Sequence, residues 1–447
     1  SALGFAAGFV FFAGTLYWIP SVMLNYGGMG RPAASLVYLA FLAVLALFVC
    51  GFAGAAWLLW QRLPESRVLW GVPALWVGVE LARAHLFTGF PWLLLGYALA
   101  DHLLVAQLAR LGGVYLLSFV LALFSTGVVL VARHPSRRRG MVLAAALFAL
   151  GLGTLGGARL PSPPAPETVY LVQAQAPLEE EWTSASFHKL ITDLETRILA
   201  AWARNQARSG LVVWPEMPAP LYYPDDELLR ERLHRLARQT QSPMVVSVVA
   251  FADRQRQKVF NSAILVGAEG QFQGRYDKIH LVPFGEYVPL KKVFFFMEKI
   301  TTEVGDFAPG ARAEPLGTRR PVAALVCYEN IFPDLVRQFS ARGAQALVNI
   351  SNDGWYGTSA ARDQLLLMSR LRAVENGRWL RRATNTGITA VVDPHGRVQA
   401  FPPDQRAVFT ASFGYRAGRT PYVAFGHWFP VLAAGAWCLV DAVRGPK

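Results

Sequence analysis

Three side chains in this 447-residue chain could together carry acyl chemistry. Leu211-Val-Val-Trp-Pro-Glu216 presents a carboxylate just past an apolar run. Arg275-Tyr-Asp-Lys278 brings an ammonium to the end of another, and Ala323-Ala-Leu-Val-Cys327 ends a third with a thiol. A cysteine carries an acyl group only as its thiolate, and the free thiol has a pKa of about 8.5. A nearby ammonium stabilises that thiolate, and a carboxylate accepts its proton as general base. Taken singly, each residue has a plainer reading: Glu216 as a loop carboxylate, Lys278 as a solvated surface charge, Cys327 as a small core residue.

The elements that would position them alternate between strand and helix. Apolar runs at 169–175, 211–214, 244–251, 261–266, 271–277, 322–327 and 346–350 read as strands, and 387–392 pairs with 398–401 across Asp393-Pro-His-Gly396. Segments 181–208, 226–239, 334–342 and 362–376 read as helices, two of them closed by Gly343 and Gly377. Mixed strands and helices in one unit argue for a layered α/β sandwich, whose strand ends are where reactive groups converge. The Pro-rich stretch Pro161-Ser-Pro-Pro-Ala-Pro166 leads into this unit as a linker. No phosphate-binding loop, metal-spaced His/Cys cluster or cofactor motif is present, so neither a metal nor a cofactor is expected.

Composition divides the chain. It is 53% hydrophobic and only 16% charged, against roughly 25% charged in an average soluble domain. Residues 1–157 hold nine Arg, no Lys and three acids, whereas residues 158–426 hold 32 basic and 26 acidic residues. The first region reads as an α-helical transmembrane bundle, with spans at 3–24, 36–60, 68–83, 103–132 and 141–155, followed by a last span at 427–443. These segments are apolar all round, so the polar Glu80, Gln107 and Arg110 should face the bundle. The expected organisation is a transmembrane domain (1–157), a catalytic domain (158–426) and a closing helix with a short tail (427–447).

Basic residues orient the spans. One set of connections holds Arg62, Arg67, Arg133, Arg137, Arg138, Arg139, Arg444 and Lys447; the opposite set holds Arg31 and Arg83. The richer set belongs in the cytoplasm, which leaves the catalytic segment outside. The net charge of +13 then suits anionic lipid headgroups, and nucleic acid is not an expected partner. Cys50 and Cys438 fall inside spans. Cys327 is the only cysteine of the external segment, without an internal disulfide partner in an oxidising compartment.

Trp214-Pro-Glu216, Tyr276-Asp-Lys278 and Cys327-Tyr-Glu329 lie in this order at intervals of 62 and 49 residues. They resemble the Glu–Lys–Cys signature of the nitrilase superfamily. His280-Leu-Val-Pro-Phe-Gly-Glu-Tyr-Val-Pro289, Ser351-Asn-Asp-Gly-Trp-Tyr-Gly357, Asn385-Thr-Gly-Ile-Thr-Ala390 and Thr88-Gly-Phe-Pro-Trp92 resemble the membrane-embedded branch of that superfamily, the apolipoprotein N-acyltransferases. The resemblance implies a nitrilase-like α-β-β-α sandwich on the periplasmic side of the bacterial inner membrane. It also implies an acyl donor among membrane phospholipids, preferably phosphatidylethanolamine, and a diacylglyceryl-modified apolipoprotein as acceptor. That family has eight spans, seven of them before the catalytic segment. This chain shows five there and starts, at Ser1, in what resembles the third.

The resemblance also implies roles for further residues. Glu286 matches a second active-site carboxylate that would orient Lys278. On chemical grounds the Tyr328 backbone N–H joins Lys278 as the candidate oxyanion donor, and Tyr328 and Glu329, which follow the nucleophile, shape its pocket. Trp182 matches a substrate-pocket tryptophan, although the residue alone reads as part of a helix core. Asn261, opening a hairpin, supports the site or caps a turn. Asn352-Asp-Gly354 reads as a tight turn placing Trp355 near the cleft, and Trp92 belongs to the membrane-domain motif. Phe294, Phe295 and Phe296, flanked by lysines, read as a lid dipping into the outer leaflet, or else as packed core. Two rival functions use the same residues differently. A membrane-tethered nitrilase-type amidase would need one anchor only, and a transporter or lipid-binding scaffold would not need an intact Glu216, Lys278 and Cys327.

Overall fold

The computed structural model describes residues 1–133, 160–178, 182–253, 255, 258–287 and 307–427. The expected span at 141–155, nearly all of that at 427–443, and Phe294, Phe295 and Phe296 lie outside these residues. The chain divides into two compact units. One comprises Ser1–Leu24, Met29–Pro161 and Arg419–Lys447, the other Asn25–Gly28 and Ser162–Gly418.

The first unit is helical. Helix α1 (Ala2–Thr15) and α2 (Ile19–Asn25) meet at a bend of 54°, so the single span expected at 3–24 is two helices. Pro20 has no N–H for the Leu16 carbonyl and its ring crowds that oxygen, which breaks the helix ahead of it. Helix α3 (Arg31–Arg62) exposes Leu36, Leu39, Leu47 and Trp57, a surface suited to lipid and not to water. Among the described residues, α3 and Ala109–Ala132 are long and apolar enough to cross a membrane, and α1 with α2 makes a third if the bent pair is one span. Helix α4 (Glu65–His85) turns Glu80 and Arg83 inward. Glu80 Oε1 accepts from the Leu95 N–H at 2.7 Å, and Arg83 donates to the Trp92 carbonyl at 2.8 Å. Gln107 and Arg110 are half-buried.

The second unit is a four-layered sandwich. One sheet has strand order β11-β1-β2-β3-β4-β5 and the other β10-β9-β8-β7-β6. Strands β1 (Glu167–Gln173), β2 (Leu211–Val213) and β3 (Met244–Asp253) run parallel at the centre of the first, with β4 (Lys258–Val266), β5 (Phe272–Asp277) and β11 (Ala407–Phe413) antiparallel at its edges. The second sheet holds β6 (Val322–Val326), β7 (Ala346–Ser351) and β8 (Leu380–Thr384) in parallel, then β9 (Ala390–Val392) and β10 (Val398–Ala400). Helices Ser184–Arg204 and Glu227–Thr240 lay Leu190, Leu194, Ile198, Leu229 and Leu233 on the first sheet. Helices Pro333–Ala341 and Ala361–Asn376 cover the second. Parallel strands buried on both faces read as continuous apolar runs, which is why Leu211–Val213 and Val322–Val326 stand out in the sequence.

Candidate active site

Cys327 begins where β6 stops. Its φ of 50° lies in the left-handed region, unfavourable for a residue with a Cβ by about 1–3 kcal/mol. This conformation turns the chain out of the strand into the short 3-10 turn Cys327–Ile331 and leaves the thiol at the strand end. Glu329 over-determines the turn. Its Oε2 accepts from the Val326 N–H at 2.9 Å, and its Oε1 accepts from Tyr276 Oη at 2.6 Å, Ile279 N at 2.7 Å and His280 N at 3.2 Å. One buried carboxylate therefore ties the cysteine turn to the loop that carries Lys278. Burial pushes the Glu329 carboxyl up to about 7, opposed by the Tyr276, Val326 and Ile279 hydrogen bonds and by the Lys278 charge.

Lys278 follows the last residue of β5, and its backbone N–H bonds the Asn261 carbonyl at 2.8 Å. Its Nζ lies 2.9 Å from Glu286 Oε1 and 3.5 Å from Glu216 Oε1, almost wholly buried. Burial alone would lower the ammonium's pKa; Glu286 and Glu216 more than offset it and hold Lys278 above the ordinary lysine value. Glu286 is itself fixed by the Val282 N–H at 2.8 Å.

Glu216 sits beyond β2, with Oε1 accepting from Asn261 Nδ2 at 2.9 Å and Oε2 from the Asn352 N–H at 3.0 Å. Asn261 Nδ2 also donates to Glu286 Oε1 at 3.1 Å, so one amide bridges both carboxylates. Burial and the nearby Glu286 raise the Glu216 carboxyl, while Lys278 and Asn261 oppose the rise. Burial, together with the nearby Glu216 carboxylate, raises the Cys327 thiol well above the ordinary thiol value despite Lys278. The resting cysteine is thus a neutral thiol beside a base of raised pKa. That arrangement suits proton transfer at the moment of attack over a standing thiolate.

The structure brings Glu216, Lys278, Glu286, Asn261, Cys327, Tyr328 and Glu329 together. Several details differ from the expectations. Asn261 does not open a hairpin or cap a turn; it lies inside β4, paired with Val249, with its side chain aimed at the carboxylates. Trp182 is not a helix core residue. It precedes Thr183, the N-cap of helix Ser184–Arg204, and packs partly buried against the first sheet's core. Residues 352–354 are more than a turn, since the Asn352 N–H holds Glu216 and Asp353 is buried in an ion pair. Trp355 is half-buried, its ring met edge-on by Tyr26 at 5.0 Å. Trp92 belongs to the first unit, buried and stacked on Phe90.

Residues that sequence reasoning missed line the other side of the thiol. Ser351 ends β7, Asp353 follows it, and Arg382 lies on β8, all fully buried. A Ser ending an apolar strand and an Arg inside one were the available signals. Among the described residues no group of three His, Cys, Asp or Glu side chains is placed to hold a metal ion.

Residues 169–413 match the family model described as carbon-nitrogen hydrolase, and residues 1–127 match that of the apolipoprotein N-acyltransferase N-terminal domain. The chain is 36% identical to an apolipoprotein N-acyltransferase of Geobacter metallireducens, over 99% of its own length and 86% of that protein. It is 35% identical to another from Azotobacter vinelandii, over 98% and 86%. A solved Saccharomyces cerevisiae member of branch 10 of the nitrilase superfamily is more distant, with 20% identity, a TM-score of 0.45, and coverage of 55% of this chain and 89% of that one.

Proposed function

The chain belongs to the apolipoprotein N-acyltransferase family, and we propose that Glu216, Lys278 and Cys327 transfer a fatty acyl chain in two steps through a thioester. As a member of that family the protein is a membrane acyltransferase acting on phospholipid and lipoprotein. The observation that carries the residue assignment is the Cys327 thiol buried beside the Glu216 carboxylate, whose pKa is raised, and near an ammonium that two carboxylates hold.

In the first step Glu216 takes the thiol proton as sulfur attacks the ester carbonyl of a phospholipid. Negative charge on the carbonyl oxygen is met by Lys278 Nζ and the Tyr328 backbone N–H. The ester C–O bond breaks, Glu216 returns its proton to the departing lysophospholipid oxygen, and a thioester remains on Cys327. In the second step the α-amine of an N-terminal diacylglyceryl-cysteine attacks the thioester. Glu216 takes a proton from the nitrogen, and the C–S bond breaks to leave thiolate and amide. Hydrolysis is the competing fate, so a site facing the bilayer, where water is scarce, favours transfer.

The family resemblance and the charge pattern support finer points. Phosphatidylethanolamine is the proposed donor, diacylglyceryl-modified apolipoproteins the acceptors. The membrane is the bacterial inner membrane, crossed several times, and the arginine-rich connections favour a periplasmic catalytic domain formed by residues 158–426. The test is to incubate the purified protein with phosphatidylethanolamine or phosphatidylcholine vesicles and a diacylglyceryl-cysteine peptide. Lysophospholipid and N-acylated peptide, formed faster from phosphatidylethanolamine, support the reading. Ammonia release from small amides without peptide acylation would instead indicate an amidase.

A further inference from the structure

Two parallel strands beside β6 bring polar side chains to the thiol's far side, Ser351 at the end of β7 with Asp353 just after it, and Arg382 on β8. Val326, just before Cys327, pairs with Ile350, and Ser351 pairs with Thr384 on the next strand, so Ser351 ends its strand beside Cys327. The Ser351 hydroxyl donates to Asp353 Oδ1 at 2.8 Å. Asp353 is held in turn by Arg382, whose Nη2 lies 2.6 Å from each carboxylate oxygen, with both side chains fully buried. Arg382 is steadied by a bond to Asn349 Oδ1, and Asn349 Nδ2 donates to the Cys327 carbonyl at 3.3 Å. The row Ser351–Asp353–Arg382 is continuously hydrogen-bonded and buried, and the strand register sets it beside Cys327.

A hydroxyl has a single proton to give. While Cys327 is a neutral thiol, that proton is best placed on Asp353. When sulfur becomes negative, the proton is better placed on sulfur, and Asp353 keeps its two guanidinium bonds. We propose that Ser351, oriented by the Asp353–Arg382 ion pair, is a hydrogen-bond donor that switches from Asp353 to the Cys327 sulfur whenever that sulfur carries negative charge. This happens as the thiol loses its proton to Glu216, and again when the amine expels sulfur from the thioester. Ser351 keeps its own proton throughout, so no net transfer occurs. Asp353 and Arg382 are positioning residues, and Asn349 fixes the backbone on which the thiol is mounted. The inference rests on Cys327 being the nucleophile proposed above.

The titratable groups near this sulfur from the surrounding elements are Glu216 after β2, Lys278 after β5, and Asp353 and Tyr356 after β7. The experiment therefore changes Ser351 and leaves these in place. The full-length protein in detergent is alkylated with iodoacetamide over a pH series, without any lipid, and modification of Cys327 is followed by peptide mass mapping. A hydrogen bond to a charged group corresponds to about a ten- to hundred-fold change in thiolate fraction. Ser351→Ala should slow Cys327 alkylation by about that factor below the midpoint and displace the profile to higher pH. Ser351→Thr, which keeps the hydroxyl, should restore the parent profile. Should Ser351→Ala not fold, Ser351→Gly removes the same hydroxyl. A parent profile without the hydroxyl, or an equal displacement in Ser351→Thr, overturns the proposal. Because alkylation needs no acyl donor, its outcome stays separate from whether Cys327 carries an acyl group.

Discussion

Lys278 Nζ lies closer to Glu286 Oε1, at 2.9 Å, than to Glu216 Oε1, at 3.5 Å. The ammonium's stronger ion pair is thus with the carboxylate that takes no proton in the proposed reaction, which leaves Glu216 free to act as base. Glu286 also adds to the rise of the Glu216 carboxyl above its ordinary value of 4.5. Glu286→Gln keeps the shape and removes that charge. The acid limb of thioester formation should move to lower pH, while the rate at its plateau falls about ten- to hundred-fold as Lys278 loses its anchor. The sign in stability follows. With its folded pKa raised, Glu216 contributes stability that is whole below its unfolded value and lost as pH rises through the folded one. Glu286→Gln should reduce that loss. A pH series of thioester formation checks the first claim, and an acid limb that stays or moves upward would contradict it.

Asn261 donates to Glu216 and Glu286 from one nitrogen, and so screens two buried carboxylates from each other. Asn261→Ala should cost on the order of 1–3 kcal/mol, as for other buried polar partners removed. Asn261→Asp should be worse, since it adds a third carboxylate to the cluster. Thermal unfolding and thioester formation rates measure both. An aspartate variant as active as the parent would remove Asn261 from the site.

Glu329 satisfies four donors from two segments. Glu329→Ala should destabilise the protein by more than about 3 kcal/mol, because several buried donors lose their acceptor at once. A change within the roughly 0.5 kcal/mol typical of surface substitutions would show that the cysteine turn holds without it.

Gly387 has a φ of 124°, and a Cβ there would lie 2.4 Å from Asp353 Oδ2. Gly387→Ala should therefore displace Asp353 from Arg382 and slow Cys327 alkylation together with acyl transfer. Crystallography or alkylation kinetics of the variant reads the effect; parent rates would mean the loop absorbs the methyl group.

Much of this arrangement was legible in the sequence because apolar strands end abruptly in polar residues. Glu216, Lys278 and Cys327 each follow such a run, and their matched motifs fixed the fold class. Strand β8 was not recognised, since Arg381 and Arg382 interrupt its apolar pattern. The structure accommodates them by stacking Arg381 on the Phe413 ring at 4.3 Å and pairing Arg382 with Asp353, partners supplied from distant sequence. Asp353 passed as a turn residue and Ser351 drew no role for the same reason: their meaning depends on Arg382 and Cys327, supplied from elsewhere in the chain. Asn261 was placed at a strand start because Lys258 and the residues before it hide how far β4 extends. The bend between α1 and α2 was overlooked because both sides of it are apolar.

The central claim is that Cys327 carries the acyl group. Intact-protein mass spectrometry after incubation with phosphatidylethanolamine vesicles, without acceptor peptide, tests it most directly. The account predicts a mass increase of one fatty acyl chain, removed by hydroxylamine, mapped to the Cys327 peptide, and absent from folded Cys327→Ala. An acyl adduct that persists in Cys327→Ala would contradict it.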